Sequence, residues 1–115
     1  MKISFEGIGQ WAATFACADV QEGDVVKISG NGSVARCGEG EALCGQAVSV
    51  GRDGLACAVQ LGGFVTAGYS GGSAPTVGWC ALSGDGAGGV KADEAGRSYL
   101  VAEVDESAQT VTFAL

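Results

Sequence analysis

Apolar residues along this chain alternate with polar ones or come in short runs, and glycine interrupts nearly every such run. No segment sustains the three-to-four residue spacing of an amphipathic helix. β-branched and aromatic residues instead sit between closely spaced turn signals, which predicts an all-β chain. The predicted strands are Lys2–Phe5, Ala12–Ala16, Val25–Ser29, Ser33–Arg36, Leu43–Val50 and Leu55–Gln60 in the first half. Gly63–Ala67, Trp79–Leu82, Gly89–Lys91, Ser98–Val104 and Thr110–Ala114 follow in the second.

The turns carry the clearest local signals. Val25-Val26-Lys27-Ile28-Ser29 and Ser33-Val34-Ala35-Arg36 flank Gly30-Asn31-Gly32. Asn-Gly between alternating runs predicts a hairpin, because both residues tolerate positive φ. Asp53-Gly54 and Asp85-Gly86 predict two more turns, and residues 105–109 close a C-terminal hairpin. There is also a weak internal two-fold repeat. Ile28-Ser29-Gly30-Asn31-Gly32 matches Leu82-Ser83-Gly84-Asp85-Gly86. With a two-residue insertion, Val34 then matches Val90, Gly40 matches Gly96, Leu43 matches Tyr99 and Val48 matches Val104. A repeated hairpin-plus-strand unit fits a small β-barrel or β-sandwich with pseudo-symmetry. It is too long a repeat, present too few times, for a solenoid. The expected organisation is an N-terminal arm or first strands over residues 1–17 and a single β domain over residues 18–115.

Composition narrows the chemistry. The 115 residues include 21 Gly, 1 Pro and no His, with a formal net charge of -7. With 47% hydrophobic and 17% charged residues, a packed core is feasible despite the glycine. Lack of His excludes imidazole acid–base catalysis and His-ligated metal. The acidic balance argues against nucleic acid as the main partner, since phosphate contacts need clustered Lys and Arg. Glu6, Gly7 and Gly9 break up the N-terminal apolar run, so no signal peptide is expected. No stretch has the apolar length of a membrane-spanning helix, so no membrane partner is expected.

The five cysteines, Cys17, Cys37, Cys44, Cys57 and Cys80, are odd in number and contain no CxxC pair. They are expected to be reduced packing residues, with zinc on Cys37 and Cys44 plus a third ligand as the lesser alternative. Gly84–Gly89 is glycine-rich but lacks the Lys-Ser/Thr ending of a phosphate loop, and Asp85 would repel an anion. Lys2, Lys27 and Lys91 have no serine-containing motif around them. The carboxylate pairs Glu39/Glu41 and Asp93/Glu94 lie on Gly-flanked loops and are expected to be solvated, and no calcium-loop pattern includes them. No cofactor is expected.

Two tryptophans and one loop remain as candidate contact elements. Trp11 either anchors the barrel or carries an N-terminal arm against a partner, and Trp79 either anchors a barrel end or is exposed for binding. Residues 70–76 form a small, polar, uncharged loop, which is either a binding element or a mobile surface loop.

Val20-Gln21-Glu22-Gly23-Asp24-Val25-Val26-Lys27-Ile28, followed by Gly32-Ser33-Val34-Ala35, resembles the opening of the small capsid decoration, or cement, proteins of tailed bacteriophages and prophages. Gly45–Val50, Ala58–Val65, the span Val77–Leu82 through Gly89-Val90, and the closing pair Tyr99–Val104 and Thr110–Phe113 extend the likeness. It covers Val20 to Leu115; the five cysteines and the N-terminal segment depart from it. The resemblance implies a non-enzymatic virion protein on the outer capsid surface. It also implies a homotrimer that binds the major capsid protein. An arm over Met1–Ala16, presenting Ile3, Phe5, Ile8 and Trp11, would add a strand to an exposed capsid sheet edge. The alternative within the chain is that Lys2–Phe5 pairs with Thr110–Ala114. A second functional reading is a tail- or fibre-associated module that binds a glycan or another virion protein, with Tyr69 and Trp79 beside the 70–76 loop as its site.

Overall fold

The computed structural model describes residues 9–71 and 73–115. Short alternating runs, most of them ended by a glycine or an Asx turn, form strands and no helix in this part of the chain. They are β1 (Trp11–Cys17), β2 (Val25–Gly30), β3 (Ser33–Arg36), β4 (Gly45–Val50) and β5 (Ala56–Gly62). The second set is β6 (Phe64–Gly68), β7 (Gly78–Gly84), β8 (Val90–Ala92), β9 (Arg97–Asp105) and β10 (Thr110–Ala114). The fold is all-β, as the alternation predicts. Ser33–Arg36 and Thr110–Ala114 match their predicted limits, and most other ends move by one or two residues. Leu43 is the informative exception: the strand starts at Gly45, and Leu43 turns away to pack in the core of the second sheet.

Strands β1-β3-β2-β4-β5 close into a barrel, and β6-β10-β9-β7-β8 form a second five-stranded sheet. The two have one topology. In each, a hairpin (β2–β3, β7–β8) is followed by a strand that pairs antiparallel with the hairpin's first member. That strand then pairs antiparallel with the next (β4–β5, β9–β10), which pairs with the first strand of the unit (β1, β6). The parallel contact closing the barrel, Cys17 beside Val34, has its counterpart in a single parallel bridge of Tyr69 to Val90. Even the β-bulge repeats: Val48 is the extra residue opposite Val59–Ala58, and Ala102 is the extra residue opposite Phe113–Thr112.

The repeat is therefore real, but its alignment is corrected. Strand pairing matches Val25 to Trp79, Gly45 to Tyr99, Gln46 to Leu100 and Val50 to Val104. Val48 matches Ala102, not Val104. The β7–β8 turn is longer than the β2–β3 turn, whereas the 37–44 connection is longer than 93–96, so the two differences cancel. Turn chemistry is corrected as well. In Asn31-Gly32 only the glycine takes positive φ, and a bulge between Ile28 and Gly30 absorbs the register.

Two cores result. Val26, Val34, Ala47, Cys57 and Val59 fill the first barrel together with Cys17 and Val20. Val65, Leu82, Val90, Val101, Val111 and Phe113 fill the second unit, where Tyr99 meets Phe113 edge-on at 5.3 Å. Val25, Cys37 and Leu43 belong by sequence to the first unit but are buried in the second core. They join the units, each contributing on the order of 1.5–3 kcal/mol of apolar burial for a residue the size of Val or Leu.

Both edges of β10 are occupied, by β6 and by β9. Lys2–Phe5, for which pairing with Thr110–Ala114 was the alternative, lies outside the described residues. Residues 11–16, which the arm reading included, form β1 and pair within the first barrel.

Candidate functional site

The thiols are packing groups. Cys17, Cys37 and Cys57 are buried, Cys44 and Cys80 are half-buried, and all five are free. Burial pushes the Cys37 thiol up to about 11, with the Glu41 carboxylate adding to it. Burial and the neighbouring Cys17 do the same for Cys57, also to about 11. Burial raises Cys44 too. A thiol held neutral is a poor nucleophile and a poor metal ligand. Among the described residues no group of three His, Cys, Asp or Glu side chains is placed to hold a metal ion, so Cys37 and Cys44 find no third ligand.

The acidic loops are structural. Glu41 accepts from Lys27 Nζ and from the Gly38 amide, which together hold its carboxyl below the usual value. Glu39 pairs with Lys91 at 3.2 Å, tying the first unit to the second. Asp93 accepts from Ser83 Oγ at 2.7 Å and from the Ala95 amide at 3.0 Å, and its carboxyl is lowered by these bonds in that order. The Gly84–Gly89 loop is organised on its own carboxylate. Asp85 Oδ1 accepts from the Ala87 and Gly89 amides at 2.7 and 2.9 Å, and Oδ2 accepts from Ser70 Oγ at 2.8 Å. The amides that could cradle a phosphate are taken by an anion already in the chain.

The sequence-predicted contact residues separate. Ile3, Phe5 and Ile8 lie outside the described residues. Trp11 is 59% exposed, with its indole laid over Gly62, where any β-carbon would collide with it. Tyr69 packs on the second core, and its amide donates to Gln109 O. It lines a shallow depression of about 290 Å³ with Glu22, Asp24 and Asp85. Trp79 lines a different one of about 350 Å³, with Ser73, Thr76, Asp93 and Glu94. Tyr69 and Trp79 thus line separate depressions, with Tyr69 packed on the second core where β6 meets β8.

An apolar face does emerge around Trp79. Trp79 is 74% exposed and stands directly opposite Leu100 on β9; Val77, two residues earlier, is 69% exposed. Leu100 and Val77 were not singled out from sequence, because strand alternation gives no sign of which strand face lacks a covering layer. Gln46 was also missed as a key residue. Its buried amide donates to Gly23 O at 3.1 Å and to Thr66 O at 2.8 Å, bridging the two units. Its only sequence signal is a polar residue at a core position of a strand.

Comparison of the chain with protein-family models, with curated proteins and with solved structures finds no match.

Proposed function

We propose that this protein is a capsid decoration protein of a tailed phage or prophage. In this reading it has no enzymatic activity, sits on the outer capsid surface and acts as a homotrimer that holds major capsid protein subunits together. The single observation that carries the reading is the exposed cross-strand pair of Trp79 and Leu100 on β7 and β9. A clustered apolar surface on an acidic domain marks a protein contact. The resemblance of Val20–Ile28 and of the later strands supplies the class of partner. A net charge of -7 suits an outward-facing coat component better than one facing packaged DNA. The test is co-sedimentation with shells assembled from the major capsid protein encoded in the same genome. Saturable binding that strengthens the shells against heat supports the reading, and a protein that stays in the supernatant overturns it.

A second reading has an observation of its own. Trp79 lies beside Ser73, Thr76, Asp93 and Glu94, an aromatic face next to polar groups of the kind that binds sugars. Such a tail- or fibre-associated module would bind glycans through Trp79 without Tyr69. Glycan-array binding that is lost in Trp79→Ala favours it, and a blank array counts against it.

A further inference from the structure

The two units meet at an internal joint, and the repeat shows what its residues become at the ends of the chain's two-unit stack. On the first unit, the joint is made by Val25, Gln46 and Gln60. Val25 is fully buried in the second core, Gln46 donates to Thr66 O, and Gln60 Nε2 donates to Phe64 O at 3.0 Å. The strand pairings match these three to Trp79, Leu100 and Ala114 on the second unit. Among the described residues nothing packs over this apolar face.

On the second unit, the seat is the β6 backbone at Phe64 and Thr66, the Gly84 end of β7, and Leu82. Gly84 exchanges backbone hydrogen bonds with the 38–41 loop: its amide donates to Glu41 O, and the Gly40 amide donates to Gly84 O. Leu82 is 1% exposed. The matching positions on the first unit are Ala12, Thr14, Gly30 and Ile28. All four are exposed, and Ile28 is 55% exposed. Two apolar groups sealed at the internal joint thus have exposed counterparts elsewhere: Val25 has Trp79, and Leu82 has Ile28.

We propose that these two free ends join between copies of the chain, so that the protein assembles head to tail. The Trp79, Leu100 and Ala114 face of one copy docks on the Ala12, Thr14 and Ile28 face of the next, repeating the internal joint between molecules. The copy is not literal. The 93–96 turn is shorter than the 37–44 loop, so the cap given by Cys37 and Leu43 is not repeated, and the larger Trp79 in place of Val25 fills that contact. A heterologous contact of this kind closes into a ring or continues as a filament. The proposal stands on the repeat and not on the capsid reading: a monomer can bind shells, and a ring can form without them.

The test uses the whole protein and sedimentation-velocity mass over micromolar to millimolar concentration. Wild type is expected to exceed the monomer mass. Trp79→Glu and Ile28→Glu, both at exposed positions, are each expected to give monomers with wild-type circular dichroism and with the melting of wild type diluted to its monomeric range. An equimolar mixture of the two is expected to give a dimer and nothing larger, because only one competent contact remains between them. Thr14→Arg serves as a second block on the receiving face and should behave as Ile28→Glu does. Monomeric wild type overturns the proposal. So does loss of assembly in Trp79→Glu with full assembly in both Ile28→Glu and Thr14→Arg, which would mean that the tryptophan face packs on itself. Trp79→Glu that loses shell binding while the wild-type mass is monomeric assigns the face to the capsid instead.

Discussion

Val25 and Trp79 hold the same position in two copies of one five-strand unit, each opposite the matching residue of the next strand, yet Val25 is sealed and Trp79 is 74% exposed. The difference lies in what covers them. The second unit lies over Val25, and nothing within the described residues lies over Trp79.

Substitution at the two positions should therefore have opposite consequences. Val25→Ala removes buried methyl groups at the joint and is expected to cost about 2 kcal/mol of unfolding free energy. Trp79→Ala should change it by no more than about 0.5 kcal/mol at protein concentrations where wild type is monomeric. Urea denaturation of both variants checks this. A loss in Trp79→Ala as large as that in Val25→Ala would contradict the burial assigned here.

Gln46 tests the polar part of the joint. Gln46→Leu keeps most of the volume but leaves Gly23 O and Thr66 O without this donor. The expected loss is about 1–3 kcal/mol, since a buried acceptor left unpaired loses its hydration as well. Hydrogen exchange should quicken first in amides near residues 23–26 and 64–68. Unchanged stability and exchange would show that the two carbonyls find other partners.

Stability should fall on acidification. The carboxyls of Glu41 and Asp93 are held below their ordinary values by bonds present only in the folded state. Their contribution is present above the unfolded values of about 4.5 and 3.8 and is lost as pH drops through the lower folded values. Melting temperatures between pH 6 and pH 2 should decline, and the double variant Glu41→Gln, Asp93→Asn should show a shallower decline. An identical slope in the double variant would place the acid sensitivity elsewhere.

The thiols give the opposite sign at the alkaline end. Cys37 and Cys57 are raised to about 11 from 9.0, so their contribution is intact below pH 9 and is lost as pH rises through 11. Labelling with a thiol reagent near pH 8 should be slow for Cys17, Cys37 and Cys57 and faster for the half-buried Cys44 and Cys80. All five should react quickly in denaturant. Immediate native labelling of Cys37 or Cys57 would contradict their burial.

Much of the fold was legible before any coordinates. Alternation and glycine spacing located each of the ten strands among the described residues, and Ile28-Ser29-Gly30 against Leu82-Ser83-Gly84 exposed the repeat. The later part of the repeat was misaligned because loop lengths offset one another, and strand pairing alone reveals that Val48 and Ala102 are matching bulges. Leu43 read as strand because it is apolar and precedes a strand, but its burial is in the other unit. The candidate site was only partly legible. The sequence points to Trp79 but not to Leu100 opposite it, and Tyr69 and Trp79 line separate depressions.

Local sequence settled what local forces control: strand or turn, left-handed glycines at Gly32, Gly54 and Gly86, and the absence of imidazole chemistry. Tertiary structure alone decided which strand faces are covered. Period-two alternation divides a strand into two faces with no information about what packs on either, and that depends on contacts made by residues far apart in the chain. Val25 and Trp79 are the measure of it, equal in pairing and unequal in exposure because one has a second unit above it.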